Sequence, residues 1–296
     1  MELRVLHYFL AVAREQSISA AAQSLHLTQP TLSTQLKALE EELGKQLLVR
    51  GTKGSRKVIL TEEGMILRKR AEEILTLVNK AEEEIAHSDD TVVGTVSIGA
   101  GETDIVRYFA KAARTLQKRY PDIRYQISSG NAEYVLEYLD KGLIDFGLVF
   151  GEVDQRKYQS LPLPAKDTWG VLMRRDSPLA EKEAITPQDL WDKPLLLSHQ
   201  RGGSGALFRW LKRDASQLNV VATYNLVYNA SLLVDEGLGY ALTLDKLIHT
   251  EGTDMCFRPL SPGMEAAAIV WKKYQVFTKA ADTFLRCLKE QLPQES

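Results

Sequence analysis

Apolar residues at the start of the chain recur every three or four positions, which predicts a helix over about residues 4–15. The apolar positions of this helix are Leu6, Phe9, Leu10 and Ala13. An alanine-rich segment follows, and Ser17 or Ser19 is its predicted N-cap. This second helix is predicted to end near Leu25, where His26 and Leu27 form a turn.

A third helix is predicted to begin at Thr28, an N-cap, with Pro30 in its first turn. At about 100° per residue, one side of this helix is an apolar stripe of Leu32, Leu36, Leu39 and Leu43. The opposite side is polar, with Pro30, Thr31, Thr34 and Lys37 on it and Gln29 and Ser33 on its flanks. Two short helices, a turn and a third helix form a helix-turn-helix. Its polar side suits either hydrogen bonding to DNA base edges or ordinary exposure to solvent.

Two short apolar segments after the third helix predict a β-hairpin, with strands at residues 47–49 and 57–60. The turn and its borders supply four basic residues, Arg50, Lys53, Arg56 and Lys57. A hairpin with a basic tip beside a recognition helix is a wing, which suits phosphates and a narrow minor groove. A solvated basic surface is the alternative interpretation.

A long helix is predicted over residues 62–90, capped by Thr61 and with the acids Glu62 and Glu63 near its positive end. Spacings of four and three alternate along a heptad seam of Leu67, Ala71, Ile74, Val78, Ala81 and Ile85. About 25 residues with a rise of about 1.5 Å each form a rod of roughly 37 Å. The seam predicts self-association, because no neighbouring segment shows a matching stripe; packing on its own chain is the alternative.

From residue 92 onward, strand and helix patterns alternate, which predicts two α/β lobes. The predicted elements lie at residues 96–98, 105–120, 123–127, 134–141, 146–150, 168–173, 187–191, 195–198, 205–213, 220–224, 230–236, 240–244, 266–271 and 278–291. The proline-bearing passages at residues 161–164 and 259–263 are the predicted crossovers between the lobes.

Ligands of such folds bind at the carboxyl ends of strands and between lobes. The residues predicted to bind a ligand there are Ala100, Gly101, Glu102, Thr103, Ser128, Ser129, Asn131, Phe150, Ser198, His199, Gln200, Arg201, Tyr228 and Asn229. Any one of them would equally cap a helix. Arg201 opens a glycine-rich segment that would cradle an anion with free N–H groups, so we expect a small anionic metabolite. A plain loop fits that segment nearly as well.

The composition of the 296 residues, 44% hydrophobic and 26% charged, fits a globular protein of two or three domains. No apolar run approaches roughly 18 residues and the start lacks a signal-peptide pattern, so we expect neither a membrane span nor secretion. The net charge of −2 hides an asymmetry. Residues 1–70 carry 11 Lys and Arg against 7 Asp and Glu, whereas residues 71–90 carry 1 against 7. A positive surface beside the predicted helix-turn-helix is typical of phosphate binding.

The sequence offers little catalytic chemistry. Its five histidines are scattered, and it contains no nucleophile elbow, phosphate loop or zincin motif. Two cysteines, Cys256 and Cys287, are too few for a disulfide framework, which fits a reducing cytoplasm. We therefore predict no catalytic, metal or cofactor site. An enzyme in the α/β part, or a redox sensor using the two cysteines, is the alternative; Cys287 is interpreted as a core residue.

Four motifs in the first 64 residues closely resemble the winged helix-turn-helix of LysR-type transcriptional regulators. They are Ser17-Ile18-Ser19-Ala20-Ala21-Ala22, Leu27-Thr28-Gln29-Pro30-Thr31-Leu32-Ser33, Leu39-Glu40-Glu41-Glu42-Leu43-Gly44 and Leu60-Thr61-Glu62-Glu63-Gly64. The resemblance implies that the third helix meets bases and the wing meets the DNA backbone. The implied DNA-binding residues are Ser19, Thr28, Gln29, Pro30, Thr31, Ser33, Thr34, Lys37, Arg50, Lys53, Arg56 and Lys57. The chain departs from the family at Thr34, where many members carry a basic residue, and in a longer turn after Arg50.

The resemblance continues more loosely through the α/β part, where residues 235–240 match a recurrent helix-turn-strand of the family's effector-binding domain. That domain is similar to type 2 periplasmic solute-binding proteins. The implied fold is an α/β multidomain protein with a winged helix-turn-helix domain (residues 1–61), a linker and dimerisation helix (62–90) and an effector-binding domain (91–296). The last comprises two Rossmann-like lobes, lobe I at residues 91–161 and 267–296 and lobe II at residues 162–266.

The function implied by this resemblance is that of a cytoplasmic bacterial regulator. It would bind double-stranded operator DNA as a homodimer or homotetramer. A small-molecule effector bound between the lobes would alter the DNA-bound oligomer.

Overall fold

The structure is a computed structural model that describes residues 1–50, 57–86, 92–151, 153–163, 167–198, 207–264 and 267–292, without the side chain of Arg50. The chain divides into two compact units, Met1–Ala86 and His87–Ser296. None of the described helices combines the length and the apolar character needed to cross a membrane.

The first unit contains helices α1 (Leu3–Glu15), α2 (Ile18–Ser24), α3 (Gln29–Leu43) and α4 (Glu62–Ala86), and the antiparallel hairpin β1 (Leu48–Arg50) and β2 (Val58–Leu60). The hydroxyl of Ser17 caps α2 by accepting the Ala20 N–H, and Thr28 caps α3 by accepting the Thr31 N–H. His26 lies between the two helices with a positive φ of 55°. These features confirm the predicted helix-turn-helix.

Helix α3 buries most of its predicted leucine stripe in the first unit's core. Leu32, Leu36 and Leu39 are almost completely buried and pack with Phe9 of α1. The prediction was wrong for Leu43, which is 41% exposed. It is the last residue of α3, just before the left-handed Gly44 at which the chain turns away.

The apolar seam of α4 is divided between two environments. Ala71 and Leu75 are buried against Leu6 of α1, with Leu67 and Ile74 packed beside them. The premise that no segment of the chain matches this seam was therefore wrong for its first half, because α1 covers it. Farther along the helix, Val78 is half-buried and Ala81 and Ile85 are exposed. This second half remains an uncovered apolar surface within the described chain.

Lobe I of the second unit is built on a five-stranded sheet in the order β4-β3-β5-β12-β6. The central strands are parallel and β12 pairs antiparallel with both neighbours. Its elements are β3 (Gly94–Ala100), α5 (Val106–Gln117), β4 (Ile123–Ser129), α6 (Ala132–Asp140), β5 (Phe146–Phe150) and β6 (Tyr158–Pro162), with β12 (Ala267–Lys272) and a C-terminal helix, Lys279–Gln291, returning to it. Phe109, Phe146 and Phe284 form the centre of its core.

Lobe II is a second mixed sheet in the order β11-β7-β10-β8-β9. Its elements are β7 (Trp169–Arg174), β8 (Leu195–Ser198), β9 (Val220–Tyr224), helix α7 (Val227–Asp235), β10 (Tyr240–Leu244) and β11 (Met255–Pro259). Residues 207–211 are helical, and three short 3-10 helices lie at Pro178–Glu181, Pro187–Leu190 and Ala215–Gln217. In chain order the next helix after α7 is the C-terminal helix of lobe I (Lys279–Gln291), which is labelled α8.

Two passages predicted as crossovers contain strand residues. Leu161 and Pro162 belong to β6, where Leu161 pairs with Ile269, and Pro259 ends β11. The hydrophobic pattern of the sequence does not predict β6, since only Tyr158 of its five residues is buried. Both strands lie at sheet edges, where proline is tolerated because no neighbour needs its missing N–H.

Candidate nucleic-acid interface and ligand cleft

A polar edge of α3 faces solvent in the first unit. Its members are Gln29, Pro30, Thr31, Thr34 and Lys37, all of them exposed, whereas Ser33 on the flank is half-buried. The edge exists because the leucines on the other side of the helix are buried in the core. A short, polar, protruding helix face of this kind can enter a major groove and contact base edges.

Hydrogen bonds within the protein hold the side chains of this edge in place. The Ser19 hydroxyl of α2 donates to Oε1 of Gln29 over 2.9 Å. The hydroxyls of Thr28 and Thr31 are 2.8 Å apart, and Thr34 donates its hydroxyl to the Pro30 carbonyl over 2.9 Å. Six of the predicted DNA-binding residues thus form three hydrogen-bonded pairs before any DNA is present, which reduces the side-chain entropy lost on binding.

The only predicted cation on this edge is engaged in an exposed ion pair. Lys37 Nζ lies 3.6 Å from the carboxylate of Glu41, one helical turn away, and both side chains are largely exposed. Because exposed pairs of this kind contribute little, roughly 0–1 kcal/mol, a phosphate can replace Glu41 at low cost.

Glu40 ties α3 to the hairpin, a contact that sequence reasoning missed. Its Oε1 accepts the backbone N–H groups of Leu47 and Leu48, over 2.7 and 3.0 Å. The hairpin also meets the start of α4, because the Thr61 hydroxyl donates to the Gln46 carbonyl over 2.7 Å and accepts the Gly64 N–H. These bonds set the position of the wing relative to the polar edge.

The basic wing tip falls mostly outside the described residues. Lys53 and Arg56 belong to the undescribed segment, and for Arg50 only the backbone, paired with Val58, is described. Lys57 is exposed just before β2. The role of these four residues in DNA binding stays a prediction.

A cavity of about 100 Å³ opens between the two lobes of the second unit. Four of the predicted ligand-binding residues line it: Gly101, Glu102, Phe150 and Ser198. Further lining residues that sequence reasoning missed are Gly130, Ala132, Leu148, Val149, Trp169, Tyr224, Asn225, Val227, Leu242, Thr243, Leu244, Leu247 and Met264. Most of these are apolar and come from strand ends of both sheets, so no short sequence pattern reveals them.

The other predicted ligand-binding residues that the structure describes do not line this cavity. Ala100 is buried in the lobe I core, and Asn131 caps α6 by accepting the Tyr134 N–H. Ser128 and Ser129 end β4, and Tyr228 and Asn229 are exposed on α7 outside the cavity lining. His199, Gln200 and Arg201 lie outside the described residues.

The loop after β3 belongs to lobe I and contacts lobe II. Glu102 Oε2 accepts the Val227 N–H at the start of α7 over 2.9 Å, and Asp104 lies 3.9 Å from Lys246 Nζ. The hydroxyl of Thr103 donates to the buried carboxylate of Asp167. Burial raises the pKa of Asp167, and the hydrogen bond from Thr103 opposes that rise.

The cavity is aromatic at one end. The rings of Phe150 and Trp169 meet edge to face, with centroids 6.3 Å apart. The hydroxyl of Tyr224 donates to the Leu242 carbonyl over 2.7 Å, and burial raises the pKa of Tyr224 to about 12. Among the described lining residues Glu102 is the one charged side chain, and it is acidic. Arg201, the expected anion-binding group, lies outside the described residues.

The alternative chemistries find no support in the described residues. Both cysteines are buried; Cys256 lies in the edge strand β11, and Cys287 is in the lobe I core. Burial raises the pKa of Cys287, which disfavours the reactive thiolate. Within the described ranges, no three potential ligands among His, Cys, Asp and Glu converge on a possible metal position.

Comparison with known proteins yields two family matches that together cover most of the chain. "Bacterial regulatory helix-turn-helix protein, lysR family" matches residues 3–65, and "LysR substrate binding domain" matches residues 89–293. The HTH-type transcriptional regulator BsdA of Bacillus subtilis (strain 168) is 37% identical over 300 residues, which covers 96% of this chain and 99% of BsdA.

A second relative and a solved structure also match over nearly the whole chain. The Hca operon transcriptional activator HcaR of Escherichia coli (strain K12) is 30% identical over 301 residues, covering 99% of this chain and 98% of HcaR. Full-length CbnR, solved in complex with its target DNA, superposes with a TM-score of 0.74 at 21% identity, covering 98% of this chain and 99% of that one. At this low identity, the match to CbnR supports the fold of the chain alone.

Proposed function

Because the chain belongs to the LysR family of bacterial helix-turn-helix transcriptional regulators, we propose that it reads operator DNA through the polar edge of α3 and responds to a small molecule bound in the cleft between lobes I and II. The family is one of regulators, not enzymes. Operator binding makes the bacterial cytoplasm the proposed place of action.

One observation supports DNA reading most directly: the orientation of α3. Its leucines are buried, and Gln29, Thr31 and Thr34 project from the other side with their side chains held by hydrogen bonds. Such side chains pair with base edges, and each good pair contributes about 1–3 kcal/mol of discrimination between bases. Arg50, Lys53, Arg56 and Lys57 of the wing are proposed to contact phosphates, which adds affinity without sequence preference.

The proposed domain organisation assigns residues 1–61 to DNA binding, 62–90 to a linker that pairs two chains, and 91–296 to effector binding. The uncovered half of α4, with Val78, Ala81 and Ile85, supports pairing through this helix. Two paired chains would present two recognition helices to neighbouring half-sites.

The proposal is tested by sequencing the genomic DNA that the purified protein retains and then measuring affinity for the selected operator and for random DNA. Gln29→Ala is expected to reduce the operator-to-random affinity ratio about tenfold or more, because a base contact is lost. Lys53→Ala is expected to lower the affinity for both DNAs by a similar factor and to reduce the salt dependence of binding.

Gln155→Ala, at an exposed glutamine of lobe I, is the matched control and is expected to bind as the unaltered chain does. An unchanged affinity ratio in Gln29→Ala would argue against base reading by α3. The effector part of the proposal is tested by adding a metabolite extract, which is expected to change operator affinity.

A further inference from the structure

The interlobe cavity has room for a small ligand. A volume of about 100 Å³ is of the order of the ~150 Å³ apolar cavities that admit a benzene molecule. A single six-membered ring therefore fits the available space.

The lining favours an aromatic ring. Phe150 and Trp169 present their rings at one end, and Leu148 and Leu242 supply apolar walls from the two sheets. Aromatic rings pack edge to face or offset-stacked on such surfaces and gain about 0.5–1.5 kcal/mol beyond the burial of area.

The one charged side chain among the described lining residues is a hydrogen-bond acceptor. Glu102 lines the cavity, and its Oε2 already accepts the Val227 N–H from the other lobe. An ionised carboxylate has about four lone-pair sites and donates nothing, so it has capacity for a second hydrogen bond. A ligand group that meets this carboxylate is favoured if it is a donor, because two facing acceptors form no hydrogen bond with each other.

We propose that the cleft binds a single-ring aromatic molecule carrying a hydroxyl or amino group, and that Glu102 accepts the hydrogen bond from that group. This inference rests on the proposed function, in which the cleft is the effector site. Since Glu102 belongs to lobe I and holds the start of α7 in lobe II, the ligand's donor would attach to the residue that links the lobes. Ligand binding and lobe position are thereby coupled.

The test is calorimetric titration of the full-length chain with phenol, aniline and anisole. Anisole has the same ring, but its methyl ether oxygen cannot donate. Phenol and aniline are expected to bind at least tenfold more tightly than anisole, because a site with a buried hydrogen-bonding group rejects analogues that lack the partner. Equal binding of phenol and anisole, or no binding of any probe, would overturn the inference.

Two variants separate the role of Glu102 from general loosening of the loop. Glu102→Ala removes the acceptor, and the preference for phenol over anisole is expected to fall below threefold. Asp104→Asn weakens the neighbouring interlobe contact to Lys246 and leaves Glu102 in place, so it is expected to keep the tenfold preference. A preference that persists in Glu102→Ala contradicts the assignment.

A third variant separates this inference from the proposed function. Ala132→Phe, at a half-buried lining residue, fills the cavity and is expected to abolish binding of both phenol and aniline. If an extract changes operator affinity in the unaltered chain but not in Ala132→Phe while the probes fail to bind, the effector cleft stands and the ring-and-donor inference falls. If the extract effect persists in Ala132→Phe, the cleft itself is not the effector site.

Discussion

At the residue scale, Gly64 shows how closely α4 approaches the hairpin. A Cβ atom on this residue would lie 2.2 Å from the carbonyl oxygen of Leu47. Backbone atoms cannot move aside as a flexible side chain can, so this contact demands glycine. The Gly64 N–H also donates to the Thr61 hydroxyl that caps the helix.

We predict that Gly64→Ala destabilises the first unit by about 1–3 kcal/mol, the usual cost of overpacking. Helix propensity alone predicts that the substitution stabilises the protein, since alanine is favoured over glycine by about 1 kcal/mol within a helix. Thermal unfolding measures the difference. Gly263→Ala, where an added Cβ meets no atom of the described residues within 4 Å, is the control and is expected to change stability by less than about 0.5 kcal/mol. A stabilised Gly64→Ala would contradict the packing argument.

Asp167 leads to a prediction about pH. Its pKa is raised above 3.8 in the folded protein because the carboxyl is buried. Well below pH 3.8 the group is protonated whether the chain is folded or unfolded. As pH rises from there through the folded pKa, the unfolded chain loses its proton more readily, and stability falls.

Asp167→Asn keeps an acceptor for the Thr103 hydroxyl but does not titrate. As pH rises from about 4, we expect the variant to lose less stability than the unaltered chain, as measured by urea unfolding midpoints. The difference between the two proteins should grow with pH until the folded pKa of Asp167 is passed and then stay constant. A constant difference would show that burial of this carboxyl has no bearing on folding.

At the element scale, α3 and the hairpin are joined by one carboxylate. Glu40 accepts the backbone N–H groups of Leu47 and Leu48 at the start of β1. A side chain that is not itself a predicted DNA-binding residue therefore positions the recognition helix and the wing relative to each other. This is why the element pair, not the exposed residues alone, forms the proposed DNA surface.

We predict that Glu40→Ala destabilises the first unit, at roughly 1–3 kcal/mol for each backbone N–H left unpaired, and weakens binding to all DNA sequences. Glu40→Gln retains an acceptor oxygen and should recover part of both losses. Thermal unfolding and DNA titration check these outcomes. Glu41→Ala, one residue along and paired with exposed Lys37, should change stability by about 0.5 kcal/mol or less; a loss in Glu41→Ala equal to that in Glu40→Ala would contradict the specific role of Glu40.

Helix α4 illustrates how an element can serve two surfaces. Periodicity predicts a heptad seam along this helix, but periodicity cannot say what covers it. In the structure α1 covers the first half through Leu6, and Ile85 in the second half is exposed among the described residues. The proposed pairing of two chains therefore concerns the second half of the helix.

At the scale of the whole molecule, the two units have separate hydrophobic cores. Among the described residues, each apolar cluster lies within one unit: those around Phe9 and Ala71 in the first, those around Phe146 and Leu242 in the second. A unit with its own core can in principle fold alone.

We predict that a fragment of residues 92–296 unfolds cooperatively, with a midpoint within a few degrees of that of the same unit in the full chain. Near-ultraviolet circular dichroism should report its fixed aromatic packing, to which the rings of Phe146 and Phe284 contribute. Loss of that signal in the fragment, with helical content retained, would mean that the second unit depends on the first.

The sequence by itself determined the helix-turn-helix, its caps, the buried side of α3, and the bounds of four strands, β5, β8, β9 and β10. These properties depend on side chains a few residues apart, because a helix or strand assigns its faces by local periodicity. The family likewise followed from local motifs. The tertiary structure alone decided which residues line the cleft, how Glu102 reaches α7, and which half of α4 is covered. Those contacts join residues from 60 to more than 120 positions apart, and their partners are set by sheet order and helix packing rather than by any pattern along the chain.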